Sequence, residues 1–193
     1  MVNKGGIDLV GDMSNRWNRC VFTGDGVELL RALKRICANV EMLCREFREM
    51  EDVPREFLAV IWEMEASSDR TRQILNGQPW NQKTTIHPRD MGPWVSWREA
   101  LIEAIRYCGW DKIRKRYWIP ARMLVEFERH NGMGYRRRGL VSPYVWGWSN
   151  QCPEKGLFVK DGVFDPEKRV VRPGAGVLLK EYYRRKKEGT ENG

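Results

Sequence analysis

Five cysteines make an odd count, with no Cys-x-x-Cys pair and no histidine at zinc-site spacing, so neither a disulfide framework nor a metal centre is visibly encoded. Cys20, Cys37, Cys44, Cys108 and Cys152 are expected as free thiols in a reduced compartment. Only two histidines are present, His87 and His130, and no local motif joins either to a cysteine. A Cys/His nucleophile stays open but unsupported. No stretch approaches the ~20 apolar residues of a membrane span, and the N-terminal stretch has no apolar core of signal-peptide length. Stable membrane insertion is not expected, and the cytosol is the expected place of synthesis and residence. No internal repeat is visible.

What is present is a chain of 193 residues, the length of one domain with one sizeable core. Hydrophobic residues make up 41%, and nine tryptophans leave material for both a core and a ring-lined cleft. The net charge of +8 favours encounter with an anionic partner: nucleic acid, an anionic membrane or the anionic bacterial wall. Charge alone does not choose among them.

Apolar residues from Leu29 to Phe47 recur every three or four positions, which predicts a long amphipathic helix. A second helix follows, with Pro54 in its first turn and Asp52 as its cap, making a helical hairpin. From Asn76 to Pro93 turn formers dominate, giving a long functional loop or a small β-hairpin. Ser96 caps a third helix with Glu99 at the capping-box position, and Gly109 closes it. Pro120 opens another, which ends at Asn131-Gly132. "GLFVKDGVFD" reads as a hairpin turning at Asp161-Gly162, and "GAGVLLKEYYRRKK" as a last helix. The expected organisation is an N-terminal extension over 1–26, one domain over 27–187 and a flexible tail over 188–193.

In the second helix, with Ile61 at the centre of an apolar stripe, Phe57, Leu58 and Met64 share its face, and so does Glu65. Glu63 lies about 200° away and is expected to face water beside Glu56. A carboxylate at the edge of an apolar face is partly desolvated and, in a last turn, meets the negative end of the helix macrodipole. Both effects favour the protonated acid, which is what a group that protonates a leaving sugar oxygen requires. The alternative is that Glu65 accepts hydrogen bonds from Ser67, Ser68 or an arginine and fixes this corner.

The segments "EASSD", "LNGQPW", "SWREALIEAI", "FERHNGMGYRRRGLVSPYVWGWSN" and "GLFVKDGVFD", in that order, resemble a group of bacterial and phage lysozyme-like peptidoglycan hydrolases. The likeness runs from about Phe57 to Leu179. More distantly, Glu65 with Ser67, and Asn131-Gly132-Met133-Gly134-Tyr135, resemble the Glu-Ser and Asn-x-Gly elements of goose-type lysozymes and lytic transglycosylases. The resemblance implies a lysozyme-like α+β fold, mainly helical, with a small β-hairpin region and a long substrate-cleft loop. It also implies that Glu65 is the single acid cleaving the β-1,4 bond between N-acetylmuramic acid and N-acetylglucosamine, with no metal and no cofactor. It carries over to Glu65, Asn76, Gly77, Asn131, Gly134 and Tyr135. Ala66, Gln78, Trp80 and the loop "HPRDMGP" depart from the pattern, which leaves substrate details open but not the acid.

Further substrate-binding candidates are Ser67, Asp69, Trp80, Tyr144 and Trp146. Trp80, Trp94, Trp146 and Trp148 sit in predicted loops, where rings stack on sugars, although several of the nine must be core. Asn131 serves first as a helix C-cap. The Tyr135 hydroxyl either reaches the acid or sugar, or packs under the next loop. Asp69 is a helix-end cap or a water positioner. Arg136, Arg137 and Arg138 hold wall phosphates or peptide-stem carboxylates, or form a solvated loop. The expected function is a muramidase or lytic transglycosylase, an endolysin that acts on peptidoglycan as a monomer after release from the host cytoplasm, without a nucleic-acid partner. The alternative is a non-catalytic basic module that binds nucleic acid or wall glycan.

Overall fold

Aspartates start the first two helices. In the computed structural model, which describes residues 8–48, 50–160 and 162–191, Asp8 accepts a hydrogen bond from Gly11 N at 3.0 Å and heads α1 (Leu9–Arg19). Asp25 accepts from Val27 N at 2.7 Å and Glu28 N at 3.3 Å and heads α2 (Gly26–Glu46). These bonds satisfy amides that the first helical turn leaves without partners. Helix α1 lies in the stretch expected as an extension, yet it packs on α5 (Pro120–Asn131). Lys180 Nζ further ties its C-terminal end down by donating to Trp17 O and Cys20 O.

The hairpin partner of α2 is α3 (Arg55–Ala66). Pro54 is its N-cap and provides no side-chain cap bond, so Asp52 does not fill the expected role. Helix α3 is buried on all sides rather than amphipathic: from Phe57 to Ala66 every residue but Glu65 is buried. The physical reason is that α2 and α8 (Ala175–Glu191) both pack on it, leaving no wet face. At its centre Phe57 stacks on Phe127 at 4.9 Å and meets Trp110 edge-on at 4.8 Å.

The stretch from Asn76 to Pro93 is a loop without a strand pair of its own; one isolated bridge, Arg72 to Pro79, backbone bonds such as Thr84 N to Met91 O, and side-chain amides hold it. Gln78 Oε1 accepts from Thr85 N and Ile86 N, and Asn76 Nδ2 donates to Ile86 O and His87 O. Buried Thr84 accepts from Met91 N at 3.0 Å. Next, α4 (Trp97–Tyr107) opens on the predicted capping box: Ser96 Oγ accepts from Glu99 N, while the Glu99 carboxylate takes Val95 N, one residue before the cap. Gly109 follows it at φ 69°. Two single-turn 3-10 helices, Trp110–Lys112 and Lys115–Tyr117, lead into α5, which stops before Gly132.

Short helices α6 (Gly134–Arg137) and α7 (Pro143–Trp146) precede β1 (Lys155–Lys160) and β2 (Val163–Arg169), which pair antiparallel with Phe158 opposite Phe164. Asp161, expected at the hairpin turn, lies outside the described residues. Helix α8 continues to Glu191, so the segment expected as a flexible tail from 188 is helical that far. Among the described residues this is an α+β fold, mainly helical, with eight α-helices and one two-stranded antiparallel sheet. No helix among them is long and apolar enough to cross a membrane.

Candidate functional site around Glu65

Helix α3 ends in a corner built by left-handed residues. Ser67 at φ 49° and Ser68 at φ 64° follow Ala66, and the Ser67 and Ser68 amides donate back to Glu63 O and Trp62 O. Trp62 Nε1 donates to Asp69 O at 3.0 Å, pinning the corner to the buried helix. Arg172 donates to Met64 O at 2.9 Å, satisfying one of the carbonyls that the helix end exposes.

The two glutamates near the end of this helix sit differently, and only Glu63 departs from the place its spacing suggests. Glu63, expected in water, is 8% exposed: Arg35 Nη2 lies 2.6 Å from its Oε1, and Ser68 Oγ donates to Oε2 at 2.6 Å. Its face meets α2, where Arg35 waits, so it closes a structural ion pair. Glu65 is the partly open one, with its side chain 19% exposed.

Two side chains converge on one oxygen of Glu65. Tyr144, from α7, donates its hydroxyl to Oε1 at 2.6 Å. His130, in the last turn of α5, places Nε2 3.4 Å from the same atom with its own side chain only 5% exposed. Burial first, and then the neighbouring Glu65 charge, push the Tyr144 phenol well above its usual range. It therefore stays a neutral donor. Both contacts use Oε1, which leaves Oε2 as the oxygen on which a transferable proton would sit.

Gly77 brings the loop against the same residue. At φ 70° it adopts a backbone that L side chains rarely take, and a Cβ there would stand 2.2 Å from the Glu65 carbonyl oxygen. Beyond His130, a cavity of about 390 Å³ opens between the loop and α5, lined by Leu75, His87, Pro88, Cys108 and Trp110 among others. Glu126 also lines it but is held by Arg122 and Arg129, each at 2.8 Å.

Cys108 Sγ lies 4.0 Å from His130 Nδ1, so a thiol, an imidazole and a carboxylate stand in line. Burial pushes that thiol up to about 12, which leaves it protonated at neutral pH. The line lacks the thiolate a nucleophile needs.

No protein-family model, curated protein or solved structure matches this chain.

Of the residues singled out from sequence, Glu65, Gly77 and Tyr144 come together. Asn131, Gly134 and Tyr135 line a separate cleft of about 540 Å³ with Phe158 and Lys160. The Tyr135 hydroxyl accepts from Phe158 N at 2.9 Å, so it secures β1 rather than reaching the acid. Asn131 is the last residue of α5, and Gly132 takes the C-cap position. Asn76 shapes the loop through its amide, and Ser67 is the exposed left-handed cap of α3. Exposed Asp69 accepts from Thr71 N and Oγ1, which hold its carboxyl below the usual range.

Two tryptophans correct the expectation of sugar-stacking rings. Trp146 is 1% exposed and belongs to the core, and buried Trp94 donates to Glu103. Trp80 is half-buried against the core, its Nε1 bonded to Arg70 O. His130, which the sequence relates only to a cysteine, stands beside the acid. The available signal for its place beside the acid was its position immediately before Asn131-Gly132 at a helix end.

Proposed function

We propose that this protein cleaves the glycan strands of peptidoglycan, at the β-1,4 bond between N-acetylmuramic acid and N-acetylglucosamine, with Glu65 as general acid. One observation carries the reading: a partly open carboxylate at a helix end, with one oxygen held by buried Tyr144 and His130 and the other left for a proton. Glu65 Oε2–H would give its proton to the bridging oxygen as the C1–O bond breaks, and the resulting carboxylate would face the developing positive charge on the sugar ring. Tyr144 stabilises that carboxylate as it forms.

Glu126, the carboxylate lining the adjoining cavity, is neutralised by two arginines. This favours a single-acid scheme, in which C1 of the ring that remains is attacked by water or by that sugar's own hydroxyl and the Glu65 carboxylate takes up the nucleophile's proton. The lysozyme-like likeness of the sequence supports the same substrate and a role as a lysis enzyme acting on the wall. Mass spectrometry of fragments released from purified peptidoglycan tests the reading: soluble disaccharide-peptides are expected, with an anhydro terminus if the sugar hydroxyl attacks. Intact strands after prolonged incubation would oppose it.

A second reading, a non-catalytic binder, is favoured by one observation, the cationic lining of the cleft beside β1. It predicts retention on glycan or DNA with no new reducing ends.

A further inference from the structure

The three consecutive arginines after Tyr135 are not equivalent. Arg136 is consumed internally: it lies 2.7 Å from Glu128 and 3.0 Å from Asp12, joining α6 to α5 and α1. Arg137 and Arg138 instead line the 540 Å³ cleft together with Lys160 of β1. Among the described residues no carboxylate pairs with these three.

Arg138 lies against two aromatic rings. Its guanidinium sits 5.0 Å over the Phe158 ring and 5.8 Å from that of Phe164, and Phe158 is itself fixed edge-on by Tyr135 at 4.8 Å. Cation–π contact keeps the guanidinium at the cleft, and its N–H groups, a fork that matches a carboxylate in bidentate fashion, have no carboxylate partner among the described residues. The cleft begins at Asn131, the chain neighbour of the His130 that touches Glu65.

We infer that this cleft is an anion-binding subsite for the carboxylates of the peptide stems carried by the glycan. The identity of the polymer rests on the reading above; the anion chemistry rests on Arg137, Arg138 and Lys160. The volume fits a small carboxylate-bearing arm, whereas a nucleic-acid tract gains its affinity from many phosphate contacts spread along a groove.

The test is co-sedimentation of the full chain carrying Glu65→Gln with purified peptidoglycan, with and without R137Q/R138Q/K160Q. All three side chains are exposed, and the double variant R137Q/K160Q preserves the Arg138–Phe158 stack as a control for folding. Binding is expected to weaken about tenfold for the triple variant and about threefold for the double, as for loss of exposed charge-assisted bonds. Amidation of the stem carboxylates is expected to produce the same loss without altering the protein. Equal binding by the triple variant, or undiminished binding to amidated polymer, overturns the proposal. So does duplex DNA binding tighter than peptidoglycan and lost in the triple variant. If Glu65→Gln still cuts strands while the triple variant fails to bind them, the general-acid reading falls and the subsite stands.

Discussion

Tyr144 Oη lies 2.6 Å from Glu65 Oε1, and His130 Nε2 lies 3.4 Å from the same oxygen. Residues from α7 and α5, distant in sequence, thus fix one half of a carboxylate that α3 presents.

Tyr144→Phe keeps the buried ring and deletes the donor. Turnover is expected to fall about tenfold to a hundredfold with KM nearly unchanged, because the lost bond matters most as the carboxylate forms. Stability should drop by about 1–2 kcal/mol. Steady-state turnover on soluble glycan fragments and thermal melting check both; an unchanged kcat would remove Tyr144 from the site.

Glu63 makes the opposite prediction. Glu63→Ala strands Arg35 and Ser68 and should cost about 1–3 kcal/mol of stability, less than a fully buried pair because Arg35 is partly exposed. Activity per folded molecule is expected to stay within about twofold of wild type. Denaturant unfolding with turnover normalised to folded protein measures this, and a large loss of kcat at wild-type stability would reverse the roles of the two glutamates.

The five longer helices from α2 to α5 and α8, the Ser96 cap and the pairing of β1 with β2 were legible because Ser96, Glu99, Gly109 and Pro120 are local signals acting over one turn, whereas α1, α6 and α7 go unpredicted and Asp52 and Asn131 do not fill the cap positions expected of them. The sequence misassigns Glu63 because the stripe argument assumes a wet face. Ala59, Val60 and Trp62 are apolar on that supposed face, a legible warning that α3 is enclosed. Trp146 lies in a stretch whose turn formers predict a loop, but α7 turns it into the core. The meeting of Glu65 with His130 depends on the packing of α3 beside α5, which no local spacing records.

Gly77 should tolerate no side chain. Gly77→Ala must hold φ near 70° and clear the Glu65 carbonyl, which costs more than about 2 kcal/mol or displaces the loop. Melting should register the first outcome, and loss of turnover in a folded variant the second. Wild-type stability with wild-type turnover would mean that the loop does not press on Glu65.

Alkali should weaken the fold in a defined window. Burial pushes Tyr182 from 10 up to about 12 and Cys108 from 9 up to about 12, and raises Tyr144 as well. Each folded-state value lies above its unfolded value, so the associated stability is intact below about pH 9 and is lost as pH rises toward about 12, where the unfolded chain has already released these protons. Melting temperature is expected to stay level to about pH 9 and then decline through that range. A rise in melting temperature there would contradict the assigned burial.

The most direct measurement is the rate of glycan-fragment release by Glu65→Gln, with circular dichroism and melting matched to wild type. Near-isosteric Gln keeps an acceptor for Tyr144 but has no proton to give to the glycosidic oxygen. Release is expected to fall at least about a hundredfold with the fold intact; wild-type release by the folded variant would contradict Glu65 as the acid.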